Sequence, residues 1–216
     1  MEEKLTRLNG LEQIFSINKY KGTGNKDYIY RKGKVPILVS APHAVKQTSE
    51  HKIKLPDMCT GGIALLLNEL TDCHVIAKSR DNGVDPNRSE MDDEYKKEIV
   101  NIIKNNDIKL LIDLHGLSDH RKADVDIITH YGKTIGQNSK IIDELKKCFE
   151  ESGILNLSED KYYFAKSEKV IVHYIWNLLE LPAIELEVNW HFRNLDEPNN
   201  LIKLINALEG FGQLKK

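Results

Sequence analysis

No apolar run in this 216-residue chain approaches the roughly 18 residues that a membrane-spanning helix needs. The opening Met-Glu-Glu-Lys likewise lacks the apolar core of a secretory leader. Cysteine is scarce. Cys59, Cys73 and Cys148 are odd in number and widely spaced, which argues against a disulfide framework or a CxxC metal site and leaves three ordinary reduced thiols. A cytoplasmic protein is the expectation. Repeats, low-complexity tracts and Pro/Ser-rich linkers are also missing, so nothing marks a domain boundary. The length suits a single domain over residues 1–216 with a sizeable core. Nor does one charge dominate: 31 basic residues face 33 acidic ones, so no long-range field draws the chain to nucleic acid or an anionic membrane. The expected partner is a small molecule, and a homo-oligomer is left open.

What is present is an alternation of strand-like and helix-like segments. Residues 11–17 and 27–31 read as a short hairpin around the turn-prone Gly22-Thr-Gly-Asn25, and a strand then ends at Ala41. Thr60 opens a helix through Ile63, Leu66, Leu67 and Leu70, followed by a strand over 73–77. Ser89, with Asp92 three residues on as in a capping box, begins a helix whose Tyr95, Ile99, Ile102 and Ile103 keep helical spacing. Strands are expected up to His115, over 124–129 and around Glu187; further helices over 138–151, 167–179 and 197–208. Helices interleaved with apolar strands predict a three-layer α/β/α architecture with a mostly parallel, mixed sheet.

Two strands end in histidine. Val35-Pro-Ile-Leu-Val-Ser-Ala-Pro-His43 and Lys109-Leu-Leu-Ile-Asp-Leu-His115 lie far apart in sequence, yet the carboxyl ends of parallel strands open onto one crevice, where the two imidazoles can converge. Pro42 fixes its own φ and drives Ala41 toward extended geometry, so His43 is aimed by a stiff backbone. Glu50, seven residues on, is placed to fold back as a third ligand, the usual number in a hydrolytic zinc site with one open position. Strand alternation puts Asp113 on the face of His115, the arrangement that fixes the tautomer of a metal-binding imidazole, and Gly116 permits close backbone approach. Leu181-Pro-Ala-Ile-Glu-Leu-Glu-Val-Asn189 carries Glu187 in a stretch that otherwise reads as buried strand, where an unpaired charge is costly. Glu185 shares its face. Trp190 and His191, directly after this strand, are secondary candidates for a pocket wall and an alternative ligand. The segment from Asp81 to Asp92 superficially suggests a calcium loop, but Gly is not at its sixth position and Glu is not at its twelfth.

Taken in order, Ser40-Ala-Pro-His43, Ser79-Arg80 with Asp85-Pro-Asn-Arg88, Asp113-Leu-His115-Gly116 and Glu185-Leu-Glu-Val-Asn189 resemble the N-formylglutamate amidohydrolase family over residues 35–195. The sequence departs from that pattern at Ala44, where a glycine commonly follows soon after the first histidine, and at Pro86, where an apolar residue is expected. The resemblance implies a zinc-exopeptidase-like fold, one Zn2+ per chain with His43 and His115 among its ligands, and Glu187 as the general base, a role that Glu185 on the same face could also fill. From their positions in the chain, Glu50 is the expected third ligand and Asp113 the partner behind His115. By the resemblance Asn87 and Arg88 hold a substrate carboxylate, a task suited to the planar fork of arginine. Arg80 is expected as a second cation polarising the tetrahedral intermediate, and Arg193, just after the proposed base, as a residue that reaches the substrate. The expected activity is hydrolysis of an N-acyl or isopeptide-like amide in a small acidic substrate. A non-catalytic binder of an acidic ligand, or a metal-dependent esterase or deacylase, is the alternative.

Overall fold

The computed structural model describes residues 1–23, 26–49, 52–89, 93–162 and 168–215. Its elements in chain order are α1 (Glu2–Tyr20), β1 (Tyr28–Arg31), β2 (Val35–Ala41), β3 (Gln47–Ser49), β4 (Lys52–Lys54), α2 (Thr60–Thr71), β5 (Cys73–Lys78), α3 (Glu94–Asn105), β6 (Leu110–Leu117), β7 (Val125–Ile128), α4 (Ser139–Glu151), β8 (Leu157–Glu159), α5 (Ile171–Leu179), β9 (Ala183–Asn189) and α6 (Pro198–Gln213). Seven strands form one sheet in the order β1-β5-β2-β6-β9-β7-β8, and β3 and β4 form a separate two-stranded ribbon. The central β5, β2, β6 and β9 are mutually parallel, whereas β1 and β7 run antiparallel to their inner neighbours. This is the mixed, mostly parallel sheet expected.

Burial explains why the central strands read as continuous apolar runs: helices cover both faces. On one side α1, α2, α4 and α6 enclose a cluster that includes Phe15, Ile63, Leu145 and Leu204; on the other α3 and α5 pack Tyr95, Ile99, Ile171 and Ile175 against Leu38, Ile76 and Leu111. No helix among the described residues is long and apolar enough to cross a membrane.

The first expected hairpin does not form. Residues 11–17 belong to α1, whose Leu5, Leu8, Leu11 and Phe15 recur at helical spacing and pack toward α2, while 27–31 provide β1 at the sheet edge. The face of α1 is interrupted by a carboxylate, Glu12, and this disguises the helical period. Glu12 is buried, and its two oxygens accept the backbone N–H groups of Cys59 (2.9 Å) and Gly62 (3.0 Å) at the start of α2 and the hydroxyl of Tyr20 (2.9 Å). It thus caps another helix across the layer, where free N–H groups and the positive end of the dipole favour an anion. Gly61 and Gly62 make this approach feasible: a Cβ would stand 2.7 Å from the Phe15 ring at the first and 2.8 Å from Glu12 Oε2 at the second. Likewise α3 begins one turn later than expected, at Glu94, because Asp93 accepts from Tyr95 N (3.0 Å) and Lys96 N (3.2 Å). Asp92 and Ser167, expected near helix starts, lie outside the described residues.

Two predictions follow from buried polar groups away from the sheet centre. Glu12→Ala strands two buried N–H donors and should lower the urea-derived unfolding free energy by about 3 kcal/mol. An unchanged value would show that Glu12 holds nothing. His130 and His173 lie against each other with ring centroids 3.7 Å apart and planes tilted by 53°, and His130 Nε2 and both nitrogens of His173 have no hydrogen-bond partner among the described residues. Burial, reinforced by His173, pushes His130 down to about 4, and burial also lowers His173. An unfolded imidazole titrates near 6.5, so the unfolded chain takes up protons first on acidification. Stability should therefore be complete above about pH 6.5 and fall as pH drops toward 4. Urea midpoints should show that fall and His173→Phe should flatten it; identical pH slopes for both proteins would remove the pair as its cause.

Candidate metal centre

Three adjacent central strands carry the chemistry. His43 follows the carboxyl end of β2, His115 lies on β6, and Glu185 and Glu187 lie on β9. In the β6/β9 register Asp113 is opposite Glu185 and His115 opposite Glu187, and Asp113 is also opposite Ser40 of β2. Period-two alternation points these side chains toward the α3/α5 layer, near the carboxyl ends of the parallel strands.

The two imidazoles converge, and the third member of the group is Asp57. His43 Nδ1 lies 3.1 Å from His115 Nδ1 and 3.3 Å from Asp57 Oδ2, and His115 Nδ1 lies 3.2 Å from the same oxygen. Three donor atoms at mutual distances of 3.1–3.3 Å form a nearly equilateral triangle. A tetrahedral zinc with arms near 2.0–2.1 Å has edges of about 3.3–3.4 Å. The donor set, two imidazole nitrogens and one carboxylate oxygen, is one that zinc uses, so the residues fit the ion that the sequence resemblance implies.

Each histidine turns its other nitrogen to a carboxylate: His43 Nε2 is 2.8 Å from Asp85 Oδ1 and His115 Nε2 is 3.0 Å from Asp113 Oδ2. With a metal bound and N–H donated to these carboxylates, both Nδ1 lone pairs would face the ion, the orientation a metal ligand requires. Burial would raise Asp85, but the hydrogen bond and charge of His43, with the Asn87 N–H, bring it down to about 2. Asp57 is held well below the usual carboxylate range, the hydrogen bonds of His115 and His43 and the charge of Lys54 outweighing burial. For His115 burial opposes the charge, yet Asp113 and Asp57 push its affinity for a proton well up. These carboxylates select for positive charge at the centre. The β9 pair behaves oppositely: burial raises Glu187 to about 7 and Glu185 to about 8. One oxygen of each, and Asp113 Oδ1, is buried without a hydrogen-bond partner among the described residues.

Asp57 lies fourteen residues after His43, in the loop between the β3/β4 ribbon and α2. Its N–H donates to His43 O (2.8 Å), its carbonyl accepts from Thr60 Oγ1 (2.7 Å), and Lys54 Nζ donates to its Oδ1 (2.9 Å). Sequence reasoning named no role for it. The one available signal was a lone acid behind Leu55-Pro56 and ahead of an apolar helix with no acid in its first turn. Glu50, the expected third ligand, lies outside the described residues.

The remaining expected residues have the following places. Asp113 stands behind His115 and Glu187 beside it, as described. Asn87 sits against the centre: Nδ2 is 3.1 Å from His115 Nε2, and Oδ1 accepts from Ile171 N (3.2 Å), where α5 begins. Arg88, with a side chain 63% exposed and Nε 3.5 Å from Asp85 Oδ2, borders a cavity of about 500 Å³ shared with Ile53, Lys54, Val84 and Asp85. Arg80 is brought to Asp27, with Nε 2.9 Å from Oδ1, near the outer strand β1. Arg193, expected on substrate, is instead buried and donates to three carbonyls: Val188 (2.9 Å), Met58 (2.8 Å) and Leu117 (3.3 Å). These follow Glu187, Asp57 and His115 by one, one and two residues, so Arg193 ties the three segments of the centre together. It also explains Gly116, where a Cβ would stand 2.4 Å from Arg193 Cζ. Trp190 lies under the Arg193 guanidinium, 5.3 Å from its ring centroid, and His191 pairs with Glu197 through Nδ1 at 2.7 Å.

Replacing Asp57 by Ala should weaken zinc binding by about 100-fold or more in a chelator competition. Because protons compete for His115, the affinity of the unaltered protein should fall as pH is lowered through the neutral range. Zinc held equally tightly by the Asp57→Ala protein would take Asp57 out of the centre.

No family model and no curated protein matches the sequence. The fold, by contrast, recurs in solved structures. N-formylglutamate amidohydrolase from Ralstonia eutropha JMP134 superposes with a TM-score of 0.58 at 11% identity, covering 87% of this chain and 97% of that one. The zinc-free form of YNDL gives 0.54 at 13% identity, with 88% and 91% covered. A bacteriophage poly-gamma-glutamate hydrolase gives 0.52 at 11% identity, with 88% and 89% covered. The chain therefore has the fold of these proteins along nearly their whole length.

Proposed function

We propose that this chain is a zinc-dependent hydrolase that cleaves the amide bond of a small, carboxylate-bearing N-acyl or isopeptide-like substrate. The observation that carries the reading is the triangle of His43 Nδ1, His115 Nδ1 and Asp57 Oδ2 with the buried Glu187, whose Oε2 has no hydrogen-bond partner among the described residues, opposite His115 in the sheet register. The names of the structures that share the fold, an amidohydrolase and a poly-gamma-glutamate hydrolase among them, agree with it. His43, Asp57 and His115 would hold one zinc per chain. Bound there, the ion supplies Lewis acidity, which polarises an acyl carbonyl and makes a water easier to deprotonate near neutral pH.

The protein's own groups do the rest. Water adds its oxygen to the acyl carbon and the C–N bond breaks, giving a carboxylic acid and an amine. One proton must move from the water to the departing nitrogen. Glu187 suits that transfer because burial lifts it to about 7, so at neutral pH it is poised between taking and giving a proton. Glu185, lifted to about 8, stays mainly neutral beneath it and adds little negative charge. Asp113 and Asp85 hold the two imidazoles in register. The cavity bordered by Ile53, Val84 and Arg88 receives the substrate, with the exposed guanidinium of Arg88 available to a carboxylate at its mouth.

Zinc-loaded protein should hydrolyse members of a panel of N-formyl and γ-glutamyl amino acids. Glu187→Gln should keep its zinc and lose about 10²–10⁴-fold in kcat. For the unaltered protein kcat/KM should rise with pH as Glu187 loses its proton, and Glu187→Gln should lack that limb. Ligand binding without turnover anywhere in the panel, unchanged in Glu187→Gln, would replace the hydrolase reading with that of a binding protein.

A further inference from the structure

The cation expected to steady negative charge on the reacting group, Arg80, is bound to Asp27. A different cation stands at the donor triangle. Lys54 is the last residue of β4, and its Nζ donates to Asp57 Oδ1 at 2.9 Å, while the other oxygen of Asp57 faces the two histidines. The two oxygens of Asp57 belong to one carboxylate, so the ammonium lies beside the triangle.

An ammonium in that place could serve only to hold Asp57 in position. Two observations point further. The Lys54 side chain is 36% exposed, unlike Asp57 itself, and lines the cavity that also reaches Asp85 and Arg88. It therefore touches the ligand set on one side and the space for substrate on the other. Its surroundings are also acidic: Asp57 is bound to it, and Asp85 lines the same cavity. A full positive charge at the border of a partly water-excluded site is the element that stabilises an oxygen on which negative charge develops, since the local dielectric magnifies the attraction. The ammonium has three N–H bonds, and Asp57 is its only hydrogen-bond acceptor among the described residues, which leaves donors for a second oxygen.

Resting on the hydrolase reading above, we propose that Lys54 is a catalytic residue whose ammonium donates to the acyl oxygen of the substrate as that oxygen becomes negative. The role is electrostatic, with no bond made to Lys54 and no proton lost from it. The ribbon of β3 and β4 would then carry a working part of the site.

Cobalt substitution tests this without knowledge of the substrate, with the metal alone and inorganic phosphate as probes. The d–d absorption of the bound ion reports cobalt binding, and its change on adding phosphate reports an anion at the centre. Lys54→Met should bind cobalt within about threefold of the unaltered protein and with the same spectrum, but phosphate about tenfold more weakly. Lys54→Arg should recover most of the phosphate affinity. With any amide the protein turns over, Lys54→Met should lose kcat while KM moves little. Lys54→Gln carries the same comparison should the Met variant fail to fold. A large loss of cobalt affinity would overturn the proposal and leave Lys54 as a support for Asp57; unchanged phosphate binding would overturn it as well. Failure of the unaltered protein to bind cobalt would instead remove the metal reading, a result distinct from either.

Discussion

Acidic charge buried around two imidazoles is the constraint on which this structure turns. Asp57, Asp113, Glu185 and Glu187 are all buried, and Asp85 lies against His43. Such a density of carboxylates inside a protein is tolerated only with protons, cations or metal to balance it. The site divides the problem. The two glutamates on β9 are raised by burial and can sit neutral, whereas Asp57 and Asp85 are held ionised by the histidines. Neighbouring groups of one kind thus have their affinities for protons pushed in opposite directions, and the sorting follows position: the loop aspartates stay ionised while the β9 carboxylates hold a proton more readily.

Holding this arrangement requires backbone that does not drift, and long-range contacts supply it. The buried guanidinium of Arg193 is bound to the carbonyls of Met58, Leu117 and Val188. Glu12, from the first helix, grips the N–H groups of Cys59 and Gly62 from the other side. The short stretch from Asp57 to Gly62 is thus pinned by a cation at one residue and an anion at the next, and Cys59 takes a left-handed φ of +69° between them. Fully paired buried charges of this kind specify geometry more than they add stability. The glycines at 61, 62 and 116 are the counterpart: each is a place where a side chain would displace a residue that positions the centre.

This also explains which parts were legible in the sequence. His43, His115, Asp113 and Glu187 sit at or beyond the ends of apolar strands, and a period of two with a shared crevice is enough to bring them together on paper. The parallel core of the sheet followed from the same runs. Asp57 was not legible because a residue on a loop has no period, and its distance from His43 is spanned by a ribbon that can be of any length. The helix α1 was missed for a related reason: Glu12 puts a charge on the buried face, so the pattern looked broken at the point where it contacts α2. The carbonyl contacts of Arg193 were not legible because an arginine just after such a strand looks the same in sequence whether it grips a ligand or three carbonyls. Errors of this kind gather at the site, where local patterning is overruled by what the site must hold.

Charge counting shows why a divalent ion suits the finished site better than protons alone. Asp57 and Asp85, held ionised, set two negative charges against the histidines, and Lys54 returns one positive charge at Asp57. A divalent cation at the triangle would offset negative charge there and let both imidazoles act as neutral ligands. Balance of this kind is a property of the particular residues, not of the fold: another chain could keep every strand and, with an uncharged residue at 54 or 187, bind a metal and do no chemistry.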